Sequence, residues 1–90
     1  MTNKERVIAH KETIDKYGQV ANVNKAIQEF NELIEELRDW KIGFKNKENI
    51  IEEIADCYNM LDKMQIMFKV PASQIKDIKV SKMKRTVKRL

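Results

Sequence analysis

Apolar residues recur along this chain at intervals of three and four, the spacing of one helical face, in four segments separated by the few residues that interrupt helices. The first predicted helix covers Asn3–Tyr17, with Val7, Ile14 and Tyr17 among its apolar positions, and Gly18 stands where a helix stop is expected. The second covers Val20–Ile42 and carries Val23, Ile27, Phe30, Ile34 and Leu37 as a single stripe, ended by Gly43. The connection Phe44-Lys45-Asn46-Lys47 is short enough to make the second and third helices antiparallel neighbours. The third covers Lys47–Lys69, with Ile50, Ile54, Cys57, Tyr58, Leu61, Met64 and Phe68 at helical spacing. Val70-Pro71 breaks that pattern, because proline disfavours helical geometry in the residue before it. The fourth covers Ala72–Leu90, with Ile75, Ile78, Met83, Val87 and Leu90 on its apolar side. An all-α fold follows, with residues 1–90 as a single domain. The expected arrangement is an antiparallel four-helix bundle that completes its core by oligomerisation, as a dimer or tetramer, because a short chain leaves little core to spare.

Composition supports the class: 2 Gly and 1 Pro leave almost no turn chemistry for hairpins. Cys57 is the only cysteine, so no disulfide can form within the chain, and its apolar neighbours mark a reduced core thiol. No apolar run approaches the ~20 residues that span a bilayer, and Met1–Arg6 is too polar for a signal peptide. A cytoplasmic location and no membrane partner are expected. The net charge of +4 conceals an uneven distribution. Gln28–Asp56 holds nine acidic and four basic residues, net −5, whereas Lys69–Leu90 holds eight basic residues against Asp77 alone, net +7. An acidic middle and a basic tail suit a cation and a polyanion bound together; they also suit each other.

The acidic residues are not evenly spread. Glu53 and Asp56, three apart, lie ~60° from each other around a helix, with Met60 and Met67 between them in projection. That mixed flank suits metal ligands at the edge of an apolar wall. Glu29, Glu32 and Glu36 likewise fall within ~60° on the second helix. Two carboxylate clusters on neighbouring helices offer hard oxygen ligands of the kind magnesium takes, and they need no histidine or thiol. Without a cation they would repel and raise each other's pKa. The plain alternative is solvated helix surface, the usual fate of Glu-x-x-Glu.

Gln28-Glu29-Phe30-Asn31-Glu32-Leu33, followed after a gap by Glu52-Glu53-Ile54-Ala55-Asp56, resembles the MazG-like family of all-α nucleoside triphosphate pyrophosphohydrolases, whose pattern is Glu-Glu-x-x-Glu on one helix and Glu-x-x-Asp on the next. The resemblance extends over Asn22–Arg85 and includes Lys82-Met83-Lys84-Arg85 on the last helix. It implies Glu29, Glu32, Glu53 and Asp56 as ligands of Mg2+, with Mn2+ as a substitute. It implies cleavage of a nucleoside triphosphate between the α and β phosphates, giving a monophosphate and pyrophosphate. Asn59 would contact the base or sugar, and Lys82 and Arg85 the phosphates. Glu32, Glu35 and Glu36 are the candidate general bases, among which sequence does not choose. Two positions depart from the pattern: Gln28 replaces the first glutamate of the pair, and Asn22 stands where glutamine is common. Trp40 and Phe44 flank the connection and suit a core edge or dimer contact better than base stacking. His10 has no partner at ligand spacing. A rival of another class, a small nucleic-acid-binding or regulatory protein using the basic tail, leaves the carboxylate clusters unexplained. Nucleic acid is therefore not expected as a partner.

Overall fold

Thr2 starts the first helix by accepting the Glu5 backbone N–H on its hydroxyl at 3.1 Å, satisfying one of the donors that every helix start exposes. In the computed structural model, which describes residues 1–90, four helices follow and no strand: α1 (Asn3–Tyr17), α2 (Gln19–Lys41), α3 (Lys47–Met67) and α4 (Ala72–Lys88). Gly18 alone separates α1 from α2, at φ 85°, a backbone conformation that side-chain-bearing residues rarely adopt. The third helix stops two residues before the predicted end. Lys69 takes the left-handed region at φ 56°, and the Lys69 and Val70 N–H groups close back on Ile66 and Gln65 O. That Schellman closure usually employs glycine, so no glycine marked it in the sequence.

Close packing joins α1, α2 and α3, chiefly α2 against α3. Cross-helix contacts pair Glu36 with Asn46, Glu29 with Cys57 and Asn22 with Lys63, so α2 and α3 run antiparallel as the short connection predicts. On α1, Arg6 pairs with Asp62 of α3, and His10 Nε2 lies 2.9 Å from the same carboxylate. The lone histidine thus serves docking.

The faces that meet coincide only in part with the apolar stripes in the sequence: Cys57 is buried and Val23, Phe30, Ile50 and Met64 are half-buried, but the most covered residues lie to one side of the stripes. On α2 the covered residues are Asn22, Ala26 and Glu29, with Leu33 and Glu36 half-buried. That face lies about 100° around the helix from the Ile27–Ile34–Leu37 stripe. Those three apolar residues remain 51, 43 and 47% exposed. On α3 the buried residues are Cys57, Lys63 and Met67, while Ile54, Tyr58, Leu61 and Phe68 stay exposed. Each helix therefore has two usable faces, and the mixed one is turned inward. The α4 helix is exposed along its whole length and adds no core within a single chain. No helix is long and apolar enough to cross a membrane.

Candidate metal centre

The antiparallel register brings the middle of α2 opposite the first half of α3, where the acidic residues are concentrated. Glu29, Glu53 and Asp56 each present a carboxylate oxygen, all within 4.8 Å of one another. Glu29 is 8% exposed, Glu53 half-buried and Asp56 exposed, so the group opens to solvent on one side. Glu29 Oε1 accepts from Lys25 Nζ at 2.9 Å, one turn earlier on α2. Oε2 of Glu29 and Oε2 of Glu53 are both buried without a hydrogen-bond partner. Buried carboxylate oxygens without donors are destabilising unless a cation meets them. An all-carboxylate donor set with two such oxygens therefore fits a hard divalent ion such as magnesium.

The electrostatics agree with the geometry. Burial holds the Glu53 carboxyl above its ordinary range, and the charges of Glu32, Asp56 and Glu29 add to the effect. Glu29 moves the other way, chiefly through its hydrogen bond from Lys25, and the Lys25 ammonium is correspondingly held in its charged form. Burial, reinforced by the same carboxylates, pushes the Cys57 thiol up. Its Sγ donates to Glu29 O at 3.6 Å, and burial disfavours the nucleophilic thiolate.

The remaining sequence candidates are dispersed. Glu32 borders the cluster, where it raises Glu53, and its Oε1 accepts from Gln28 Nε2 at 3.3 Å. Glu36 lies at the end of α2 near the connection and accepts from Asn46 Nδ2 at 2.6 Å. Glu35 points outward to Arg38 at 3.5 Å. Asn59 is exposed one turn beyond Asp56. Lys82 and Arg85 share a shallow groove on α4 with Asp77 and Ser81, apart from the α2–α3 carboxylates. Trp40 and Phe44 are exposed around a groove at the connection.

Two cations near the cluster escaped the sequence reading. Lys25 sits four residues before Glu29, the spacing of a helical ion pair, and Lys63 sits seven after Asp56 on the same side of α3. The i, i+4 spacing of Lys25 and Glu29 is a signal in the sequence; the burial of Lys63 depends on tertiary packing. Asn22, a departure from the resembled pattern, is 4% exposed and donates through Nδ2 to Thr13 O at 3.1 Å and Gly18 O at 2.7 Å. It pins the α1–α2 corner. No protein-family model, curated protein or solved structure matches the chain.

Proposed function

We propose that the chain is a magnesium-dependent nucleoside triphosphate pyrophosphohydrolase of the MazG-like kind, cleaving between the α and β phosphates to a nucleoside monophosphate and pyrophosphate. The supporting observation is the cluster of Glu29, Glu53 and Asp56 with its two buried, unpartnered oxygens. These three, joined by Glu32, are the proposed ligands. Bound magnesium, or manganese in its place, supplies charge neutralisation on the phosphates and acidifies water. Glu32 is the favoured base for the proton of the attacking water, because of the three candidates it alone borders the cluster, whereas Glu36 is held by Asn46 near the connection and Glu35 turns outward to Arg38. Asn59 is proposed to face the base or sugar. Lys82 and Arg85, remote within one chain, reach the leaving pyrophosphate only if the α4 of a second copy closes over the carboxylate cluster.

That closure fits proposed oligomerisation. The accessible surface is 7621 Å², whereas a folded chain of this mass has about 5,500 Å². The radius of gyration is 15.7 Å, against about 12 Å for a compact domain of this length. An excess of roughly 2,000 Å² per chain is the scale of an obligate dimer interface. The order of residues also fits: the exposed Val20, Ile27, Ile34 and Leu37 and the half-buried Val23 and Phe30 follow one another at steps of three and four, the spacing of a coiled-coil seam.

The test is a panel of ribo- and deoxyribonucleoside triphosphates with magnesium. Pyrophosphate and monophosphate should appear, stop with a chelator, and be abolished by Glu53→Gln or Asp56→Asn. Absence of release from every nucleotide and divalent ion tried defeats the reading. The full exposure of the basic α4 favours a second reading, electrostatic binding of nucleic acid. Salt-sensitive duplex binding that survives Glu53→Gln and disappears with Lys82→Ala and Arg85→Ala would support it.

A further inference from the structure

The carboxylate cluster already holds a cation of its own. Lys25 Nζ donates to Glu29 Oε1 at 2.9 Å from one turn earlier on α2. Pairs four apart on a helix contribute most when the carboxylate comes first in the chain, and here the lysine does. The strength of this pair therefore comes from its surroundings. Glu29 is 8% exposed, whereas both members of an ordinary surface pair are solvated. A charged hydrogen bond to a carboxylate removed from water is strong. The stem of Lys25 lies in the α1–α2 corner beside Thr13, Tyr17 and Ala21, which leads its ammonium towards Glu29.

The two oxygens of Glu29 are thereby made unequal. Oε1 is committed to Lys25, and Oε2 is buried with no partner. No lysine or arginine pairs with Glu53 or Asp56. An ion among the three carboxylates thus finds one oxygen of Glu29 withheld. Divalent ions differ in what they ask of a carboxylate. Magnesium demands octahedral geometry, keeps several waters and uses few protein oxygens. Calcium takes about six to eight oxygens and often both from one carboxylate. Withholding an oxygen of the most buried ligand removes a contact that calcium uses and magnesium does not.

We propose that Lys25 sets the ion preference of the centre: by holding Glu29 Oε1 it keeps that carboxylate to a single coordinating oxygen and biases the site towards magnesium and against calcium. Lys25 acts through Glu29 and is a positioning residue. This rests on the reading of Glu29, Glu53 and Asp56 as a divalent-cation site, and not on the identity of any nucleotide.

The experiment loads the full chain with manganese, follows the free ion by electron paramagnetic resonance, and displaces it in separate titrations with magnesium and with calcium. The quantity read is the ratio of the two dissociation constants. Lys25→Met removes a positive charge and should tighten both ions, but the ratio should move about fivefold or more in favour of calcium, the gain of one coordinating oxygen. Lys25→Ala should do the same, and guards against a packing effect of the methionine. Lys25→Arg, which keeps a charged donor for Glu29, should retain the wild-type ratio. A role confined to charge or to folding moves both ions alike, so a ratio unchanged in Lys25→Met and Lys25→Ala overturns the proposal. So does a ratio in Lys25→Arg that follows Lys25→Met. Absence of saturable binding of every ion by wild type overturns it together with the cation-site reading. Absence of nucleotide hydrolysis with a Lys25-dependent ratio counts against the enzyme reading alone.

Discussion

Replacing Glu53 with glutamine should stabilise the metal-free protein and destabilise it, relative to wild type, once magnesium is added. The Glu53 carboxyl titrates above its ordinary value of 4.5 in the folded chain, through burial and the neighbouring carboxylates. A folded pKa above the unfolded one means that the native state holds the proton more tightly. The carboxyl is then no burden below about pH 4.5, and stability is lost as pH rises through the folded pKa. Glutamine mimics the protonated form, so in chelator near neutral pH the variant should melt above wild type, and the gap should close in acid. Magnesium should reverse the order because the proposed ligands converge only in the native state: Glu29 and Glu53 are 24 residues apart in the chain and sit on facing helices. With the ion at about tenfold its Kd, the linkage is about 1.4 kcal/mol. For a chain of this length that raises wild-type Tm by about 6 to 11 °C. The variant, with a ligand missing, should move little. Thermal melts by far-ultraviolet circular dichroism, with chelator and with magnesium, read both halves. A wild type indifferent to the ion, or equal rises in both proteins, refutes the reasoning.

Ala26 is 2% exposed on the face of α2 that is turned inward. Ala26→Leu should therefore lose about 1–3 kcal/mol in urea denaturation, whereas Asn31→Ala on the exposed outer side of α2 should be nearly neutral. Cys57 should resist a disulfide exchange reagent near neutral pH until the chain is unfolded, since it is buried and its thiolate is disfavoured; immediate labelling of the native protein would contradict that. Ile34→Glu, on the exposed stripe of α2, should convert an oligomer to a helical monomer by sedimentation velocity. A wild type that is already monomeric at tens of micromolar would remove the basis of this expectation.

The helices were legible because their limits are written in local chemistry: Gly18 and Gly43 supply the positive φ that ends α1 and follows α2, and Pro71 precedes α4. The end of α3 was not, since Lys69 adopts a left-handed conformation that nothing in its side chain announces. The proximity of Glu53 to Asp56 follows from helical spacing, but that of Glu29 to both depends on how α2 and α3 are rotated. Periodicity indicated a face to one side of that contact. An a/d stripe such as Val23–Ile27–Phe30–Ile34–Leu37 marks a surface that wants covering, without saying by which neighbour. The mixed flank with Met60 and Met67 beside Glu53 was the better guide to the inward face of α3. Lys63 was invisible for a related reason: a lysine is read as solvated surface until tertiary packing buries it. The exposure of α4 also depends on tertiary placement, because its own amphipathic pattern reads like that of a packed helix.

Glu29, Glu53 and Asp56 are proposed to form a divalent-cation site between α2 and α3. Titration with manganese, following the free ion by electron paramagnetic resonance, addresses it without any assumption about substrate. Saturable binding that magnesium displaces, and that Glu53→Gln and Asp56→Asn abolish, is the predicted result. Binding that never saturates, or that survives both substitutions, would contradict it.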